Sequence, residues 1–335
     1  MTSRERVRRT LEFDRPDHVP RDLWPLPIVE IEQGKENVDA FRGRWPIDFS
    51  SPPAPPLPRI KGDMYGIGQY TDEWGCVFEN IQRGVIGEVK APILDDWSKL
   101  PSIRPPVEIL DLDRAQINAA CRASEKFMLS PCYVRPFERI QFLRGTENVY
   151  CDLAEDSSEF HALLKLVHEF NVKTLEAWAA TEVDGLSIMD DWGSQRALLI
   201  DPATWRRIFK PLYAEYVRIA HDHGKKFFMH SDGYIFEIYD DLIEIGVDAI
   251  NSQLFCMNIE DIGRRFKGRI TFWGEMDRQH VLPHGTIAEA RAATRRVIDA
   301  LYDPRGGVIA QFELTSKARL ENADAVFEEW AKLGS

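Results

Sequence analysis

The segment KKFFMHSDG, Lys225–Gly233, carries an apolar run, Phe227-Phe228-Met229, that ends in His230, Ser231 and Asp232. A short apolar run bounded by glycine reads as a buried strand. Side chains alternate along a strand, so His230 and Asp232 point the same way. An imidazole beside a carboxylate can ligate a metal, transfer a proton or bind a polar substrate; it can equally be a satisfied polar cluster closing the strand. The pattern recurs. GLSIMDDWG ends in Asp190 and Asp191, ITFWGEMD in Glu275 and Asp277, and GVIAQFEL in Gln311 and Glu313. FMLSPCYVRP ends in Tyr133 and Arg135, and AINSQ in Asn251 and Gln253. Parallel α/β proteins gather their chemistry at the C-terminal ends of strands, so these residues imply one shared pocket. Adjacent residues face opposite sides, so only one of Asp190 and Asp191 is expected to enter it. That carboxylate either binds substrate, stacked on Trp192, or caps the following helix. Trp24, Trp74 and Trp273 either form an aromatic wall for a planar ligand or belong to the core.

The elements that must position these residues alternate. Thr2-Ser3 caps a first helix through about Phe13, and a strand follows near Val19–Trp24. Helices are expected at Asp113–Lys126, Ser157–Ala180, Asp201–His223, Ile235–Ile245 and Ile259–Phe266. Thr286 to Glu289 forms a capping box that opens a helix to Leu301, and a last helix covers about Ala323–Lys332. Strands between them, about eight units in all, predict a closed (β/α)8 TIM barrel. Residues 45–100 interrupt the rhythm. SSPPAPPLPR holds five prolines and is extended, and YTDEWGCVFEN with GVIGEVKAP alternates as the two arms of a hairpin. The chain is read as a single domain, 1–335, with this excursion partly covering the barrel.

Composition excludes several classes. A net charge of −12 in 335 residues offers no basic field for nucleic acid. No apolar run reaches the ~18 residues of a membrane helix, and the basic N-terminus lacks the apolar core of a secretory signal. The five cysteines, Cys76, Cys121, Cys132, Cys151 and Cys256, are scattered, with no CxxC, which predicts a reduced, cytoplasmic protein. Neither GxGxxG nor GxxxxGK[ST] occurs, so neither NAD nor ATP is expected.

The order of segments resembles that of the uroporphyrinogen decarboxylase superfamily, and more narrowly its corrinoid-linked methyltransferases and their relatives. SRERVRRTLEFDRPDHVP, the YTDEWGCVFEN hairpin, DDWGSQRALLIDPATWRRIFKPLY, KKFFMHSDGYIFEIYDDLIEIGVDAIN, ITFWGEMDRQHVLPHGT and ARLEN carry the resemblance over nearly the whole chain. It implies the (β/α)8 fold. The decarboxylases of the superfamily have an arginine-rich segment after the first strand. Here PRDLWPLPIVE offers only Arg21, and an acidic pocket would repel a polyanion, so uroporphyrinogen is not the expected substrate. The methyltransferases typically bind zinc through His-x-Cys on one strand and a Cys on the last. His230 matches their His, Asp232 stands at the first Cys, and Ala310 to Glu313 contains no Cys. Zinc accepts carboxylate oxygen, so the resemblance implies His230, Asp232 and Glu313 as metal ligands.

The reading that results is a methyltransferase moving a methyl group from a small methylated substrate to or from a corrinoid protein or tetrahydrofolate. His230, Asp232 and Glu313 activate substrate or acceptor, by metal or by proton transfer. Asp190 or Asp191, Glu275, Gln195, Gln253 and Gln311 orient the substrate, with Trp24, Tyr133, Arg135 and Trp192 around it. The alternatives are a metal-independent decarboxylase or lyase on a small aromatic or heterocyclic acid, and a non-catalytic ligand-binding barrel.

Overall fold

In the computed structural model, which describes residues 1–334, eleven strands interleave with helices. They are β1 (Arg21–Pro25), β2 (Phe49–Ser50), β3 (Gly68–Thr71), β4 (Val77–Asn80), β5 (Glu88–Val89), β6 (Phe127–Met128), β7 (Gly185–Met189), β8 (Lys226–Ser231), β9 (Ala249–Ser252), β10 (Thr271–Trp273) and β11 (Val308–Leu314). Six of them form one parallel sheet in the order β1-β11-β10-β9-β8-β7. β2 and β6 form a separate parallel pair. A few contacts, short of a continuous ladder, join this pair to the sheet edges: Asp48 N donates to Arg21 O at 2.8 Å on one side, and Asp184 N to Met128 O at 2.8 Å and Ser130 N to Gly185 O at 3.0 Å on the other, around an isolated bridge of Leu129 to Gly185. The arrangement is consistent with a TIM-like fold. Where the sequence predicts eight strands in a closed ladder, the ladder is open at both junctions, because β2 and β6 are two residues each.

Strand alternation sorts the side chains. On β8, Phe227 and Met229 join the large core toward the helices, while Phe228 joins a smaller inner cluster with Phe49, Phe127, Ala249, Trp273 and Ile309. Val7 and Leu11 of the first helix, Ser3–Leu11, close that inner cluster. Burying each large side chain contributes roughly 1.5–3 kcal/mol. His230 and Asp232 follow Phe228 on the inner face, and Trp24, Asn251 and Gln311 reach the same level from β1, β9 and β11.

Three local expectations differ from the structure. YTDEWGCVFEN is itself a hairpin, β3–β4, with β5 added antiparallel. Asp72 turns it by accepting from Trp74 N at 3.0 Å and Cys76 N at 2.8 Å. The helix expected over Asp201–His223 divides into Pro202–Ile208 and Lys210–Asp222, since Pro211 has no N–H to continue the first. Ile235–Ile245 opens as a 3-10 turn before Tyr239–Glu244. No helix among the described residues is long and apolar enough to cross a membrane.

Candidate active site

Two loops, after β7 and β8, set the site. Gly193 and Gly233 meet backbone to backbone: a Cβ on Gly193 would lie 2.2 Å from Tyr234 N, and one on Gly233 2.1 Å from Gly193 O. Only glycine permits that approach. Gly193 N donates to Asp232 O at 3.0 Å and Tyr234 N to Ser194 O at 2.8 Å, so the loops are clasped. Asp232 N in turn donates to Asp191 Oδ1 at 2.8 Å.

The clasp places Asp191 and Asp232 on either side of His230, whose Nε2 lies 3.5 Å from Asp191 Oδ1 and 3.4 Å from Asp232 Oδ1. The other ring nitrogen is fixed. His230 Nδ1 lies 2.6 Å from Asn251 Oδ1, and both protons of the Asn251 amide are used, on Trp273 O and on Gln311 Oε1. The amide therefore presents its oxygen, and Nδ1 carries the hydrogen. Nε2 then faces two carboxylates, an arrangement that needs a proton or a cation between them. Asp232 Oδ1 is buried without a hydrogen-bond donor. One ligand atom from each of Asp191, His230 and Asp232 lies within 4.8 Å of the others. This nitrogen–oxygen donor set, with an unpartnered oxygen, fits zinc or a similar borderline cation.

Glu313 stands apart from that trio. Arg278, from the loop after β10, pairs with both Glu313 and Asp232 and lies 3.5 Å from Glu275. Asp191 thus occupies the place the sequence reading gave to Glu313. Glu275 is 3% exposed, its Oε1 has no hydrogen-bond donor, and burial pushes its pKa up to about 8. Glu138, at the start of the helix Pro136–Arg144, is the counterpart: its Oε2 is unpartnered, and burial followed by the Asp191 and Asp190 charges pushes it up to about 8 against the opposing pull of Arg135. Burial also raises Asp191.

Asp190 faces the other way, as alternation requires. It is fully buried, accepts from Phe137 N and Glu138 N at 2.8 Å each and from Tyr213 Oη, and caps Pro136–Arg144. Burial lifts it to about 7 despite these donors. Trp192 is also core: it stacks on Phe137 at 4.2 Å and donates to Tyr213 Oη at 2.8 Å, so the expected substrate platform is absent there. Trp74 likewise is buried against Phe170.

Below His230 lies a cavity of about 420 Å³, lined by Trp24, Trp273, Phe49, Leu129, Met189 and Asp22 among others. Gln253 accepts from Gly233 N at 3.1 Å and, with Gln195, borders a second, smaller pocket of about 60 Å³ that also contains Glu275 and Arg278. Gln311 holds Asn251, and its Nε2 is unpartnered. Arg135 lies against Met189 Sδ at 2.7 Å and 3.9 Å from Glu138; Tyr133 is half-buried on the main core. Neither lines the large cavity.

Sequence reasoning missed Arg278, Glu138 and Asp22, and named Asn251 only as a strand end. Asn251 carried a signal, because it pairs with His230 in register on the neighbouring strand. Arg278 and Glu138 come from a loop and a helix start, whose approach no periodicity encodes.

The model of the uroporphyrinogen decarboxylase (URO-D) family matches residues 80–333. No curated protein matches the chain significantly. Among solved structures, a methyltransferase from Methanosarcina mazei superposes with a TM-score of 0.68 at 13% identity, covering 100% of both chains. A D-psicose 3-epimerase, whose crystal structure contains D-fructose, reaches a TM-score of 0.40 at 12% identity over 68% of this chain and 86% of its own.

Proposed function

The chain belongs to the uroporphyrinogen decarboxylase family, and from that premise we propose that it is a methyltransferase, moving a methyl group between a small methylated substrate and a corrinoid or folate carrier. The observation that carries this reading is His230 Nε2, set between Asp191 and Asp232 with its other nitrogen locked by Asn251. The likeness in fold to a methyltransferase agrees with it. Asp191, His230 and Asp232 would hold zinc, which would supply Lewis acidity to activate substrate or acceptor. Asn251 orients the imidazole, Gln311 orients Asn251, and Arg278 steadies Asp232 and Glu313. The aromatic cavity would hold the substrate beside His230.

A second reading, a metal-independent carboxy-lyase, draws on Glu138 and Glu275. Burial pushes both up to about 8, which favours the protonated form that a general acid needs.

Elemental analysis joined to methyl-transfer assays separates the two. For the methyltransferase, purified protein contains about one zinc per chain, and His230→Ala loses it together with ~100-fold or more of the activity. Glu313→Gln keeps the metal, because Glu313 answers to Arg278. Full activity in both variants means the constellation is structural. A metal-free protein that releases carbon dioxide from its substrate favours the lyase.

A further inference from the structure

The large cavity has an unusual charge character. Among the described residues no lysine or arginine lines it. The guanidinium of Arg135, beside the lining residue Met189, is turned onto Met189 Sδ and toward Glu138, and that of Arg278 is held by Asp232 and Glu313. Yet a carboxylate forms part of its wall. Asp22 is 3% exposed and makes no ion pair; its partners are Leu23 N at 2.9 Å and the indole N–H groups of Trp24 and Trp273, both at 3.0 Å. Those indoles meet edge to face, ring centroids 4.8 Å apart and planes at 90°, so they make two walls of a corner. A carboxylate accepting from an indole N–H pushes electron density into the ring and deepens the negative potential over its face. At the upper end of the cavity His230 packs edge-on to Trp24 at 5.5 Å, and beyond it Asp232 Oδ1 has no donor.

An aromatic corner backed by an uncompensated carboxylate stabilises a soft cation without a hydrogen-bonding N–H. It offers nothing to a carboxylate or phosphate. A volume of about 420 Å³ lies at the small end of the roughly 300–1,000 Å³ span of ligand pockets. We propose that the cavity takes a small methylated ammonium compound, its N-methyl groups seated on Trp24 and Trp273 in front of Asp22. Resting on the methyl-transfer reading, this names the donor: a quaternary ammonium compound whose methyl carbon is directed toward His230. A divalent ion at the trio would be balanced by Asp191 and Asp232 and would leave Asp22 and the two indoles as the groups that face the cation.

The first arm of the test uses the wild-type chain. Choline and 3,3-dimethylbutan-1-ol share size and shape and differ in a positively charged nitrogen replaced by carbon. Titration calorimetry on the purified full chain is expected to find choline bound at least tenfold more tightly. Trp24→Leu and Asp22→Asn should each erase that ratio, and a thermal melt checks that each variant is folded. Equal or tighter binding of the neutral alcohol, or binding of neither at millimolar concentration, overturns the proposal and leaves the methyl-transfer reading standing. Selective binding of choline with no methyl transfer from any methylated amine supports the ligand class and removes the reading on which its role as donor rests.

Discussion

His230, Asp190 and Asp191 show how one rule, alternation along a strand, divides neighbouring side chains between chemistry and support. Asp191 reaches His230, and Asp190 caps a helix behind it. The division predicts opposite phenotypes. Asp190→Asn should lower stability by about 1–2 kcal/mol while metal content stays at the wild-type level. Asp191→Asn should lose metal with little change in melting temperature. Matching phenotypes would show that the two-sided assignment is mistaken. Glu275 makes a pH prediction. Its folded pKa of about 8 lies above the ordinary 4.5, so the folded chain binds the extra proton between those values. The stability it contributes is full below about pH 4.5 and is lost as pH rises through 8. Glu275→Gln cannot ionise, so its unfolding free energy should fall less steeply with pH across that window in denaturant titrations; an unchanged slope counts against the buried neutral acid. At this scale His230 and Asp232 were legible because a period of two is strict. Arg278 and Glu138 were not, since their approach depends on the path of a loop and the angle of a helix.

Among the elements, the clasp of the β7 and β8 loops has the sharpest consequence. Gly233→Ala must separate two backbones or distort both, at a cost of about 3 kcal/mol, and should disturb Asp191 and Asp232 together. Urea denaturation with metal analysis checks it: a wild-type midpoint would show that the close approach does not hold the site. Elements were read well where capping and apolar period agree. The capping box at Thr286 and the helix Ile259–Phe266 stand where the residues put them. They were read poorly where one residue overrides a period. Pro211 divides a helix whose apolar face runs through it, and the Asp72 turn folds an apparent single strand back on itself. The closed eight-strand ladder was an extrapolation from counting units; β2 and β6 are too short to carry it.

For the whole molecule, the family is shared with decarboxylases of a polycarboxylate tetrapyrrole, whereas this chain carries a net charge of −12 and a cavity without a lysine or arginine among the described residues. Uroporphyrinogen should not bind; absorbance titration giving micromolar affinity would overturn the charge argument. The β7–β8 clasp also divides the molecule into unequal partners. Because main chain presses on main chain there, the spacing of Asp191 and Asp232 is a fixed jaw, indifferent to which side chains surround it. The opposing jaw, at β1 and the end of β10, meets the site through the side chains of Trp24, Trp273 and Arg278, the two indoles set by Asp22 and the guanidinium by Asp232. New substrate ranges should therefore arise by substitution on that second jaw, while the first keeps the spacing of its two carboxylates.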